Sequence, residues 1–396
     1  MRRSLAVRVG VCAFCAVIAV GVAWSGEPDY NSIASKIVNV SAAVQPGEVV
    51  VIQGNPDQMT LLEALLVATW KAGGQPTLEV VIPSANRRAM TEIPIEFIKY
   101  PQWYNLAQAR LVDCFINVAS IEDPTLFADV PEERFEAFRD ANQPLQRAQQ
   151  LARFRSVALG QTGGIPTVAY AKSVNVDFAT MQKMFWNAVD TDYKALRYRA
   201  TAVAGIMKPG AKVHVTSDAG TELKFVIDEV PSRINCGRVD DNQVSSGPML
   251  TWLPAGEAFA AVKAGSGDGT LIIPSMSFRG MPVKDLRMTF TNGRITSMSA
   301  DGDGGDAMKA FVDTLPDESM MLSVVDVGVN SDSQPIVDSD YASWEMGGMV
   351  SIATGNNNWA GGSNESADGL TFHVHGASID VGGTTVCTKG DLKIGD

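Results

Sequence analysis

The sequence predicts an α/β protein in two parts: a layered half built on a parallel sheet, followed by an antiparallel, β-rich α+β half. Three observations lead there. Between positions 46 and 207 short β-branched runs alternate with segments of helical period, the signature of strand–helix–strand crossovers. Beyond Lys208-Pro209-Gly210 the texture changes to short strands joined by tight turns. The chain is 396 residues long and 45% hydrophobic, which suits two domains with their own cores.

Arg2 and Arg3 precede an almost wholly apolar run over residues 9–22, and Ala23-Trp24-Ser25 offers small residues where a signal peptidase cleaves. Residues 1–25 are therefore expected to be a signal peptide, and the protein to be periplasmic or secreted. Pro46-Gly47-Glu48 turns into a strand at 49–53. Asp57 or Thr60 then opens a helix carrying Leu61, Leu62, Leu65 and Leu66 that stops at Gly73-Gly74. A strand at 78–82, a helical piece at 103–110 and a strand at 113–118 follow. A long helix is expected over 131–155 with Pro131 in its first turn, then a strand at 157–159. Helical sequence resumes over 177–207 with a break at Asp190. Strands joined by helices imply right-handed crossovers and a mostly parallel sheet.

In the second half, 212–216 and 222–227 flank Asp218-Ala219-Gly220 as a hairpin. Residues 288–290 and 295–298 flank Asn292-Gly293, a type I′ signal. One helix is expected at 306–315. The domains are thus set at 26–205 and 206–396. The loop Gly160-Gln161-Thr162-Gly163-Gly164 follows a strand, where a phosphate cradle can sit. It lacks the Lys-Ser/Thr of a P-loop and the dinucleotide spacing, so it is read as a turn.

Composition narrows the function. The net charge is −12, and loss of Arg2, Arg3 and Arg8 with the signal takes it to about −15, which argues against nucleic acid as a partner. No stretch after residue 25 is long and apolar enough to span a membrane. Cys114, Cys236 and Cys387 remain after the signal, too few and too scattered for a disulfide scaffold.

His373 and His375 carry the chemistry. In a strand, residues i and i+2 share a face, so Thr371-Phe372-His373-Val374-His375 would aim two imidazoles at one place. A pair is two ligands, and a metal site needs three or four. Glu257, bracketed by apolar and small residues, is costly to bury unless it is paired or ligates a cation. His214 lies in a hairpin strand and is read as structural.

Leu253-Pro254-Ala255-Gly256-Glu257-Ala258-Phe259 resembles the Leu-Pro-x-Gly-Glu-Val-Phe segment of the aminopeptidase T and aminopeptidase S family of metallopeptidases. Further resemblances follow in order along the mature chain. Val44 to Ile52 is similar to the family's first strand and turn, and Asp192-Tyr193-Lys194-Ala195-Leu196 to a helix entering its second domain. Gly267-Asp268-Gly269-Thr270-Leu271 and Gly361-Gly362-Ser363-Asn364-Glu365-Ser366 flank the later motifs as they do there. The resemblance implies a dinuclear site of two glutamates, two histidines and an aspartate, with a tyrosine nearby, and it implies a homodimer. Glu257 matches the first glutamate. Val324 stands where the second is expected, Ser351 where a histidine is expected, and His375 where an aspartate is expected. No tyrosine follows Gly355; Asn356, Asn357 and Asn358 stand there.

The retained set, Glu257, His373 and His375, suits one divalent metal, zinc first, with iron, cobalt or manganese as alternatives. Asp326, two residues from Val324 on the same strand face, is a candidate replacement, although about 6 to 7 Å of displacement separates the two positions; Glu345 and Asp340 are weaker ones. Three functions are consistent with these residues: an exported aminopeptidase-like metallohydrolase acting on peptides, a catalytically inactive binding protein of the same fold, and a mononuclear iron dioxygenase, since the fold has relatives that resemble dihydroxypyridine dioxygenases.

Overall fold

The computed structural model describes residues 28–394 other than 119, 124, 153, 161–163, 240–248, 337–340, 342 and 367. The expected signal segment and the middle of the Gly-rich loop lie outside the described residues. So does Asp340.

In the first half the elements are α1 (Tyr30–Lys36), continued by a π-helical turn, then β1 (Val49–Gly54), α2 (Met59–Lys71), β2 (Gln75–Val80), α3 (Pro83–Glu92), α4 (Ile95–Ile98), α5 (Trp103–Gln108), β3 (Cys114–Val118), α6 (Glu132–Ala152), β4 (Arg155–Leu159), α7 (Val168–Ser173), α8 (Phe178–Val189) and α9 (Tyr193–Ile206). β1, β2, β3, β4 and a later strand, β8 (Leu250–Leu253), form one sheet in the order β2-β1-β3-β4-β8, and every pairing in it is parallel. α2 buries Leu61, Leu62 and Leu65 in the core that also holds Val50 and Ile52 of β1, each such side chain contributing about 1.5–3 kcal/mol of transfer free energy. The expected break at Asp190 is present: Asp177 caps α8 and Asp192 caps α9, each side chain accepting from a backbone N–H of the first turn.

The second half contains β5 (Lys212–Ser217), β6 (Glu222–Val226), β7 (Arg233–Asn235), β8, β9 (Glu257–Ala261), β10 (Asp268–Phe278), β11 (Met281–Thr291), β12 (Arg294–Asp301), α10 (Asp303–Val312), β13 (Leu322–Gly328), β14 (Val350–Thr354), β15 (Thr371–Val374), β16 (Ala377–Val381), β17 (Thr384–Thr388) and β18 (Asp391–Leu392). An eight-stranded antiparallel sheet runs β12-β11-β10-β6-β5-β16-β17-β18, and a five-stranded antiparallel sheet runs β15-β14-β13-β9-β7. Asn292 and Gly293 both have positive φ, 51° and 76°, as a type I′ turn requires. His214 is paired across β5 and β6 with Glu222, 2.8 Å away.

Some boundaries differ from expectation for identifiable reasons. β2 begins at Gln75 and ends before Pro83, which opens α3; Pro76 is tolerated because β2 is an edge strand. α10 begins at Asp303, despite two glycines in its first turn, because a Cβ on Gly304 would stand 2.5 Å from the Pro282 carbonyl oxygen. Packing against β11 sets that helix where propensity would delay it. Among the described residues the three cysteines are free and buried, and no helix is long and apolar enough to cross a membrane.

Candidate metal centre

The five-stranded antiparallel sheet places the site. Asp326 of β13 pairs in register with Ser351 of β14, and Ser351 with His373 of β15. Directly opposed residues on adjacent strands share a face, so these side chains form one polar row across three strands. The next row is apolar. Val324 packs with Phe259, Ala261, Ala353 and Ala360, under Trp252 and Trp344. Glu257 lies one row away on the other side of Asp326, opposite Gly328. The position that the family resemblance assigns to a glutamate is therefore filled by valine in an apolar cluster, and a carboxylate stands two residues further along the same face.

Two glycines make room for this arrangement. Gly256 has φ 133°, and a Cβ there would meet Asn330 Cβ at 2.6 Å; the Asn330 amide bonds the Ala188 and Ala255 carbonyls and ties α8 to the start of β9. Gly328 has no side chain to fill the space above Glu257. A Cβ there would meet the Met346 carbonyl oxygen at 2.2 Å and that of Trp344 at 2.5 Å, so the backbone of 344–346 lies across the strand. The Asn330 N–H donates to the Glu345 carbonyl, 2.8 Å, and this fixes the segment that brings Glu345 to the centre.

Electrostatics follow from burial. Glu257 is 1% exposed, Asp326 0%, Glu345 1% and His373 6%. Burial pushes the Glu257 carboxyl up to about 8, partly offset by the Trp252 indole N–H, which donates to it at 3.1 and 3.3 Å. Asp326 is raised well above the usual carboxylate range by burial, then by the charges of Glu257 and Glu345. Glu345 is raised in the same way by burial and by Glu257. His373 is pushed down to about 3 by burial and by neighbouring His375, so its ring is neutral. The Ser351 hydroxyl lies 2.8 Å from His373 Nδ1, and the Trp344 ring stands edge-on to the imidazole with centroids 5.3 Å apart.

Of the sequence-predicted ligands, Glu257 and His373 are buried at this centre and His375 is not. β15 ends at Val374, and the chain then leaves the five-stranded sheet to enter the eight-stranded sheet at Ala377. His375 sits exposed on that crossover turn, so the i, i+2 relation of a continuous strand does not apply to it. Among the described residues no three His, Cys, Asp or Glu side chains are arranged around one point to hold an ion, and the expected trio Glu257, His373 and His375 does not assemble as it stands.

A different donor set is present. Both Asp326 carboxylate oxygens and Glu345 Oε1 are buried with no hydrogen-bond partner among the described residues. Native proteins satisfy the large majority of such groups. Hard oxygens left unpaired beside a third carboxylate and a neutral imidazole are donor types that a divalent cation accepts, and as they stand no three of them surround one point. A cavity of about 660 Å³ opens beside the centre, walled by Glu345, His373, Trp344, Tyr341 and Tyr170. The two tyrosines come from α7 and the 341–346 segment, away from the stretch after Gly355 where the family resemblance implies one. Gly160 and Gly164 also line this cavity.

A parallel α/β half joined to an antiparallel half that carries a buried carboxylate–imidazole centre is a scaffold suited to a metal-dependent enzyme. The sequence model of the thermophilic metalloprotease (M29) family matches residues 27–321, and the chain belongs to that family. The match ends at Met321, one residue before β13, so Glu257 lies inside it and Asp326, Ser351 and His373 lie beyond. The fold is similar to that of wild-type AmpT from Thermus thermophilus, with a TM-score of 0.67 and 15% identity over 92% of this chain and 99% of that one. It is also similar to 2,5-dihydroxypyridine dioxygenase from Pseudomonas putida KT2440, with a TM-score of 0.61 and 12% identity over 92% and 96%. At these identities the likeness is one of fold. No curated protein matches the sequence significantly.

Proposed function

We propose that this chain is an exported aminopeptidase-like metallohydrolase that removes N-terminal residues from peptides with a reduced, single-metal centre. The observation that carries the proposal is the unpartnered Asp326 carboxylate, buried between Glu257 and Ser351-His373 behind the wall of a cavity. Glu257, Asp326 and His373 would hold the cation by closing around it from their present, more open arrangement; zinc is the first expectation, with iron, cobalt or manganese as alternatives. A bound divalent cation supplies Lewis-acid polarisation of a peptide carbonyl and a water of lowered pKa.

The chain's own groups have separable tasks. Glu345 is the carboxylate on the cavity wall; in this reading it takes a proton from water and returns it to the leaving amine. His373 stays neutral, and its orientation is held by Ser351. Trp344 and Tyr341 exclude water from the space where the scissile bond lies.

The replacements at Val324 and Ser351 favour a second reading, a binding protein of the same fold without catalysis. Metal analysis of the purified full chain after loading with zinc, cobalt, manganese or iron, alongside amino-acid release from short unblocked peptides, separates the two. One equivalent of metal and chelator-sensitive release is expected. Metal-free protein, or release no greater than a chelated control, would overturn the peptidase reading; stoichiometric iron with oxygen consumption on dihydroxylated aromatics would replace it with a dioxygenase. The export proposal rests on Arg2, Arg3 and the apolar run that follows, and N-terminal sequencing of protein recovered outside the cytoplasm should begin at Gly26. An intact Met1 would refute cleavage.

A further inference from the structure

The cavity beside the centre has a second charged group at its rim. β10 and β11 form a long hairpin whose tip, Phe278-Arg279-Gly280-Met281, reaches across to the first half of the chain. Arg279 and Gly280 have φ 53° and 78°, the two-residue turn of a tight hairpin. A left-handed backbone is unfavourable for arginine, and such a residue persists only where its surroundings over-determine it. They do so here. A Cβ on Gly280 would stand 2.3 Å from the Ser173 carbonyl oxygen, so the tip is seated on the end of α7. The Arg279 guanidinium lies over two rings, 5.2 Å from the centroid of Phe278 and 4.7 Å from that of Phe311.

Among the described residues that line the cavity, Arg279 is the only permanent cation and Glu345 the only carboxylate. No ion pair or hydrogen bond to the Arg279 guanidinium is present among the described residues. Stacking fixes the plane of a guanidinium while leaving its N–H fork open, the geometry that receives a carboxylate through two parallel bonds. On a chain of net charge −12, a lone cation at a cavity rim gives an anionic group one favourable place to enter.

We propose that Arg279 binds the terminal carboxylate of a short peptide, so that the cavity takes di- or tripeptides with the amino end toward Glu345 and His373 and the carboxyl end at the hairpin tip. This rests on the peptidase reading and adds a length rule to it. A volume of about 660 Å³ lies within the ordinary range for small-ligand sites, and the walls contributed by Phe185, Tyr170, Met276 and Met308 suit apolar side chains between the two polar ends. Arg279 is thus a specificity residue; it takes no part in bond breaking.

The test compares leucyl-phenylalanine with leucyl-phenylalaninamide on the metal-loaded full chain, wild type against Arg279→Asn, which tolerates the left-handed backbone, and Arg279→Lys, which keeps the charge. For wild type the free acid should show a KM about tenfold lower than the amide at similar kcat. Arg279→Asn should raise KM for the acid about tenfold and abolish the difference; Arg279→Lys should restore part of it. Equal KM values for acid and amide in wild type, or an acid preference that survives Arg279→Asn, overturns the inference while leaving the peptidase reading intact. Should no peptide be cleaved, calorimetric titration with the same pair decides: an acid preference lost in Arg279→Asn sustains the carboxylate site without the peptidase, and equal binding removes it.

Discussion

Ser351 Oγ lies 2.8 Å from Nδ1 of His373, and this contact gives a serine at a position where the resemblance calls for a metal-ligating histidine a definite physical role. A histidine binds a cation through a nitrogen lone pair, and the hydrogen bond made by the other nitrogen decides which one is available. In the tautomer whose Nδ1–H donates to Ser351, Nε2 is left for a ligand. Ser351 stands between Asp326 and His373 in the register of the sheet, so in the proposed centre it is a positioning group for His373.

Ser351→Ala should therefore weaken zinc binding about 10- to 100-fold with little effect on folding. Competition against a chromogenic chelator measures the affinity, and circular dichroism reports the fold. An unchanged affinity would mean that the contact is structural only.

Asp326→Asn and His375→Ala should behave differently. Removal of the Asp326 charge is expected to abolish stoichiometric metal, since both its oxygens are buried without partners. His375→Ala should retain metal, because His375 is exposed on the turn beyond β15. Mass-spectrometric metal content of the two purified variants checks both. Metal lost only with His375→Ala would reinstate the His-x-His pair as the ligand set.

Glu257 makes apo-protein stability depend on pH in an unusual direction. Its folded value of about 8 lies above its ordinary 4.5, so the folded state holds the proton more tightly than the unfolded chain. The associated stability is fully present below about 4.5 and is lost as pH rises towards 8, by roughly 4 to 5 kcal/mol at most. Chemical denaturation of metal-free protein between pH 5 and pH 8 should show this decline. Glu257→Gln should lessen it, leaving the part that buried Asp326 and Glu345 contribute in the same direction, and saturating zinc, which favours the ionised carboxylate, should lessen it further. A flat profile in the unmodified apo-protein would refute the assignment.

Gly328→Ala tests the delivery of Glu345. A Cβ at 2.2 Å from the Met346 carbonyl oxygen cannot be accommodated unless the 344–346 segment shifts, with an expected loss of about 1–3 kcal/mol. Turnover should fall by more than the loss of folded protein explains. Full activity in the folded fraction would show that the segment's position is immaterial.

Much of this was legible in the chain. The β1–α2 unit, the paired caps at Asp177 and Asp192 and the Asn292-Gly293 turn depend on local period and turn chemistry, which a sequence carries directly. Local pattern also placed Glu257 in a buried apolar setting. It did not place His375, because the i, i+2 rule holds only within a strand, and the end of β15 is set by the transfer of the chain from one sheet to another. Nor did it bring Glu345, Tyr170 and Arg279 to one cavity: these positions are far apart in the chain, and they meet through a backbone laid over Gly328 and a hairpin tip seated on α7. The sequence by itself determined the α/β class, the change of texture at the middle of the chain and the family-like motif around Glu257. Tertiary structure decided which carboxylates face one another, since cross-strand register and close backbone approach, rather than spacing along the chain, bring buried charges together.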